Sequence, residues 1–106
     1  MDKLLEMLNK IGLPFAYDHF VEGESPEPPF LIYFIPKRDD FKADGRNYYK
    51  MQEIRLELYA DKKDFVLEEK LEQILEEYGI CYERSETWIA SEKLYEVLYT
   101  FYLEVK

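Results

Sequence analysis

From Tyr48 to Ala60 the side chains alternate, with Ile54, Leu56 and Leu58 on one side and Glu53, Arg55 and Glu57 on the other. A period of two is the mark of a strand with one packed and one wet face. A helix follows over Phe65–Tyr78, capped by Asp61 or Asp64. Its stripe is Leu67, Leu71, Ile74, Leu75 and Tyr78, while Glu68, Glu69, Glu72, Glu76 and Glu77 are expected to face solvent, with the lining of an acidic pore as a sharper reading. Gly79 is placed to end the helix in a left-handed cap. Two strand-like runs close the chain, Ile80 to about Trp88 and about Lys93 to Val105, joined as a hairpin through Ala90-Ser91. Tyr95, Val97, Tyr99, Phe101, Leu103 and Val105 share one face of the last run. A helical last run, resting on Leu94, Leu98 and Phe101, is the weaker alternative, because Tyr95, Val97, Tyr99 and Thr100 favour a strand.

The first half is less regular. Asp2 can cap a short helix with Leu4, Leu5, Leu8 and Ile11 at helical spacing, stopped by Gly12 and Pro14. Phe15 to Phe20 is a short extended candidate. Residues 22–29, with three prolines and three glutamates, read as an exposed connector. Phe30 to Ile35 is a continuous apolar run, expected to be a central strand buried on both faces. Lys37 to Asn47 reads as a charged loop with the turn pair Asp44-Gly45 and with Phe41 stranded among charges. The expected fold class is α+β: an antiparallel or mixed sheet of about four strands packed with one or two helices. No linker or internal repeat divides the 106 residues, so one domain is expected.

Composition narrows the function. Hydrophobic residues make up 47% and aromatics 17%, enough to fold despite 35% charged residues. Ten Tyr and seven Phe suit strands with one face in the core and the other half-buried against a partner. The formal charge of −9 argues against direct nucleic-acid binding, which needs clustered cations. Cys81 is the only cysteine, which excludes an intrachain disulfide and a thiolate metal cluster and fits a reducing cytoplasm. No signal peptide and no apolar run of roughly 18 residues is present, so membrane association is not expected.

No chemistry is legible. His19 is the sole histidine, and adjacent Asp18 on an extended segment is expected to point the other way, so the two would not meet. The segment from Asp40 fails as a calcium loop, because Lys42 stands at the third position and Met51 where the closing carboxylate belongs. Cys81 is expected to be a small core or half-buried residue. The glycines lie far apart and cradle no phosphate. Neither enzymatic activity nor a metal or cofactor is expected. The candidate interface residues are Asp39, Asp40, Phe41 and Lys42, as a contact loop that orders against a partner, and Trp88, for which core packing and an anchoring role are both open.

The runs Leu13–Phe20 and Pro28–Tyr33, the turn Asp44–Tyr49, the block Ile54–Asp64 and the closing Ser91–Glu96 together resemble small minor structural proteins of tailed bacteriophages and prophages of Gram-positive hosts. The resemblance implies a tail-completion or tail-terminator protein of the head-tail joining region, with an α+β fold and assembly as a homo-oligomer, commonly a hexameric ring. It implies tail-tube and head-connector proteins as partners, and a place in the virion after assembly in the bacterial host cytoplasm. An acidic balance would let DNA pass such a ring without adhering. The alternative from composition is a small acidic cytoplasmic adaptor or inhibitor that covers a basic site on one protein.

Overall fold

The computed structural model describes residues 2–43 and 46–104, with side chains for 3–37 and 51–104. The chain is α+β, in the order α1 (Asp2–Ile11), β1 (Phe15–Tyr17), β2 (Phe30–Phe34), β3 (Arg38–Ala43), β4 (Arg46–Ala60), α2 (Phe65–Glu77), β5 (Tyr82–Ile89) and β6 (Leu94–Glu104). The sheet runs β1-β2-β4-β6-β5, with β3 also on β4, so it is larger than the expected four strands. Among the described residues only the β1–β2 pairing is parallel. The last run is a strand, and the helical alternative is excluded.

β4 organises the molecule because its length exceeds what one neighbour can cover. On one side Met51–Ala60 pair with β6. On the other, Arg55–Tyr59 pair with β2 and Arg46–Gln52 with β3, so β2 and β3 follow each other along the same flank. Residues 46–50 extend past the end of β6, and with β3 they form a two-stranded ribbon projecting from the body. The molecule is accordingly elongated, 50 × 30 × 23 Å.

Register puts Ile54, Leu56 and Leu58 of β4 beside Phe101, Tyr99 and Val97 of β6, and Leu31 and Tyr33 of β2 on the same face. Both helices cover that face. α1 contributes Leu4, Met7, Leu8 and Ile11, and α2 contributes Leu71, Ile74 and Leu75. Leu5 belongs on the outside, 36% exposed, and Met7 takes the core place the sequence reading gave it. Residues 4, 7, 8 and 11 recur every three or four positions, and Leu5 falls off that stripe. The C-terminal half of α1 meets α2: Lys10 Nζ pairs with Glu77 at 3.2 Å, Tyr78 Oη donates to Glu6 at 2.9 Å, and Lys70 Nζ donates to the Ile11 carbonyl at 3.2 Å.

The ends of α2 follow from local chemistry. Asp64, rather than Asp61, is the N-cap, its side chain accepting from the Leu67 amide at 3.0 Å. At the other end Gly79 takes φ +71°, and the Gly79 and Ile80 amides donate to the Glu76 and Leu75 carbonyls at 2.9 and 3.0 Å. These two bonds, with Ile80 and Leu75 both in the core, make a Schellman motif. Asp2, expected as a cap, is the first residue of α1, with its side chain outside the described ones; the turn pair Asp44-Gly45 and a packed Val105 lie outside the described residues.

Two expectations are corrected. The segment 38–43 is not a loop; it is β3, paired with β4 through a register shift between Phe41 and Lys42. A ribbon flanked by no helix has no single buried face to impose a polarity period, so its sequence reads as a loop. The extended candidate Phe15–Phe20 is a strand only to Tyr17, because Asp18 turns to φ 64°.

Candidate functional site

The helix-covered face is closed, which leaves the opposite face, the β5 edge and the ribbon. On the open face β2 presents Phe30, Ile32 and Phe34, β4 presents Glu53, Arg55, Glu57 and Tyr59, and β6 presents Glu96, Leu98, Thr100 and Tyr102. This face is less wet than its charges imply. Ile32 is 6% exposed and Phe30 is buried, because the connector folds back so that Phe20 meets the Phe30 ring edge-on at 5.4 Å. Between the connector and the tip of the β5–β6 hairpin lies an open groove of about 640 Å³, floored by Ile32 and Tyr59 and flanked by Phe20, Pro26, Ile89 and Leu94.

Acidic groups on this face hold one another. Tyr59 Oη lies 3.1 Å from Glu57 and 3.0 Å from Glu96. One phenolic proton serves only one carboxylate at a time. Burial pushes the Glu57 carboxyl above the usual carboxylate range, and the charge of Glu96 pushes it further. Burial also pushes the Tyr59 phenol well up, with both carboxylates adding to the shift. Glu53, expected on a wet face, is buried; Arg55 Nε approaches it at 2.9 Å and Tyr102 donates to it at 3.2 Å. Cys81, expected to be half-buried or in the core, is exposed instead and lines a second open groove with Glu53 and Arg55. Its neighbour Ile80 takes the inward position, and alternation turns Cys81 outward.

Asp18 and His19 do meet, contrary to expectation, with Nδ1 2.9 Å from Oδ2. The left-handed turn at Asp18 breaks the alternation that would have kept them apart. The pair has the form of a base and its orienting carboxylate, but it is 75% and 62% exposed. Although Ser25 and Ser91 line the same groove, among the described residues no hydroxyl is hydrogen-bonded to the ring. Also among them, no group of three metal-ligating side chains converges, and no helix is long and apolar enough to cross a membrane.

At the β5 edge the inner face carries an ion cluster. Glu68 accepts from Lys63 at 2.6 Å and from Arg84 at 2.5 Å, and its side chain is 7% exposed. Glu86 pairs with Lys63 and, at 3.1 Å, with Arg84. Glu72 accepts from Tyr99 Oη at 2.7 Å and lies 3.5 Å from Arg84 Nε. Burial pushes the Tyr99 phenol well up, reinforced by its bond to Glu72. Burial works against the Arg84 charge, yet its bonds to Glu68 and other partners outweigh that and hold it protonated. The acidic face of α2 is therefore split, with Glu69, Glu76 and Glu77 exposed, Glu68 buried and Glu72 partly buried.

The candidate interface residues fall in two places. Asp39, Asp40, Phe41 and Lys42 stand on β3, opposite Met51, Lys50, Tyr49 and Asn47; their side chains lie outside the described residues. Trp88 stands on β5, 49% exposed, its ring tilted against Tyr95 at 4.7 Å. Tyr95 pairs with Ala60 and Phe41 with Tyr49, so the two groups mark opposite ends of β4, on the order of 35 Å apart at the rise of an extended chain. A contact that uses both therefore takes one group from each of two subunits. Phe65 and Val66, 72% and 78% exposed at the start of α2, are apolar surface residues that the sequence reading passed over. Their only signal is that they precede Leu67, where the apolar stripe begins. No family model matches the sequence, and no curated protein matches it.

Proposed function

We propose that this chain is a structural protein of the head-tail joining region of a tailed phage or prophage, a tail-completion or tail-terminator subunit that closes a ring through protein-protein contacts. The observation that carries the reading is the ribbon of β3 and residues 46–50, which leaves the body beyond the end of β6. A subunit of a closed ring needs two different patches that meet head to tail, and a projecting ribbon paired with a distant receptive surface supplies that asymmetry. Asp39, Asp40, Phe41 and Lys42 sit on the ribbon, and Trp88 lies at the far end of the sheet. The resemblance in Leu13–Phe20, Ile54–Asp64 and Ser91–Glu96 supports the phage assignment, with tail-tube and head-connector proteins as partners.

The test is mass. Native mass spectrometry and light scattering, over a range of concentration and with and without a tail-tube protein, are expected to give a discrete ring. A monomer at every concentration that binds neither tail-tube nor connector protein refutes the reading. The charge of −9 favours a second reading, an adaptor that masks a basic surface on one protein. A one-to-one complex in place of a ring identifies that case.

A further inference from the structure

β5 ends the sheet, and among the described residues no strand pairs with its outer side. Glu83 through Trp88 are all exposed, on both faces of the strand. Unpaired edges of this kind are usually kept short, broken by a bulge, or blocked with proline or charged side chains, lysine above all; the charges on β5, Glu83, Arg84 and Glu86, are of both signs and so can be met by a second copy. β5 has 8 residues, holds an unshifted register with β6 from Tyr82 to Ile89, and contains neither proline nor lysine. Such an edge can accept an antiparallel strand.

We infer that the occupant is a second copy of the same strand, the two β5 edges pairing antiparallel about a two-fold axis at Ser85. The register is selected by charge. An axis perpendicular to the sheet keeps each side chain on its own face, so opposed residues must be an even number apart. An axis at Arg84 sets that guanidinium against itself, and an axis at Glu86 does the same for two carboxylates; like charges directly opposed are destabilising. An axis at Ser85 opposes Arg84 to Glu86 of the second copy, twice over. It also opposes Tyr82 to Trp88, and Glu83 to Thr87. Within one chain Arg84 and Glu86 are already in contact at 3.1 Å and about a third exposed, so pairing extends an existing alternation of charge. The start of α2 lies over the same spot, because Lys63 bonds Glu86 and its ammonium sits 5.0 Å from the centre of the Phe65 ring. Phe65 of each copy is thereby brought near the axis, one on each side, where its exposed ring can meet the second copy. The contact does not depend on the ring contact, although Trp88, opposite Tyr82 of the second copy here, stands in both.

A Cys81→Ser background removes the native thiol, and Ser85→Cys then places two cysteines on the axis, within the Cα separation a disulfide accepts. Mild oxidation is expected to give a covalent dimer of S85C. Glu83→Cys and Thr87→Cys, each alone, are expected to form no covalent dimer and to cross-link with each other when mixed. Glu86→Arg places cations opposite Arg84 and is expected to weaken the dimer about tenfold in sedimentation equilibrium. Circular dichroism checks that this variant is folded, and the cysteine arms do not touch the ion cluster. Failure of S85C to cross-link, or equal cross-linking of E83C or T87C alone, overturns the proposal. A ring with no S85C dimer rejects this contact and spares the ring; S85C dimers without a ring do the reverse.

Discussion

Glu68 gives the sharpest test of the packing argument, since in the helix pattern it sits among the solvent-facing glutamates yet its side chain is 7% exposed. Replacing it by Ala removes the acceptor for both Lys63 and Arg84. Loss of one partner from a fully buried pair costs about 3–5 kcal/mol, whereas an exposed pair is worth about 0–1 kcal/mol. The cations here are 19% and 34% exposed and retain Glu86 and Glu72, so the stranded charges are partly relieved by water and by remaining carboxylates. The expected loss is about 2 kcal/mol, or a fall in Tm of about 8 °C for a domain of this size. Urea unfolding followed by circular dichroism measures it, with the urea dependence of the unfolding free energy unchanged. Glu69→Ala, one residue along and exposed, is the control and should stay within about 0.5 kcal/mol of wild type. Equal midpoints for the two variants would refute the claim that the cluster contributes to stability.

Three further outcomes follow from single sites. Asp64→Ala removes the acceptor for the Leu67 amide and is expected to cost about 1 kcal/mol in thermal or urea unfolding, while Asp64→Asn keeps most of it. Leu75→Ala opens a cavity at a side chain with no exposure and is expected to cost about 3 kcal/mol or more by the same measurement. Glu57 holds its proton more tightly folded than unfolded, so between its usual value of 4.5 and the raised folded value the folded state carries a proton the unfolded state has lost. Stability from this group is therefore complete below that window and is lost as pH rises through it. Glu57→Gln is expected to flatten that part of a pH series of urea midpoints and to raise the midpoint at neutral pH; an unchanged pH series would count against the burial of Glu57 beside Glu96.

Period and punctuation in the chain determined α2, its Gly79 stop, the buried face of β4 and the α+β class, because each is set by neighbours within a few residues. The central run Phe30–Phe34 was legible for the same reason, as four of its residues are buried. β3 was hidden because a ribbon outside the core carries no polarity period, although an Asp-Gly pair between two runs is a hairpin signal that could have revealed it. What only tertiary structure decided is where polar groups found partners. Arg84 reaches Glu68 from 16 residues away and Tyr59 meets Glu96 from 37, so neither the burial of Glu68 nor the sharing at Tyr59 is written in local spacing. A carboxylate on a helix is solvated by default, and it becomes a structural ion only when the sheet brings a cation beneath it.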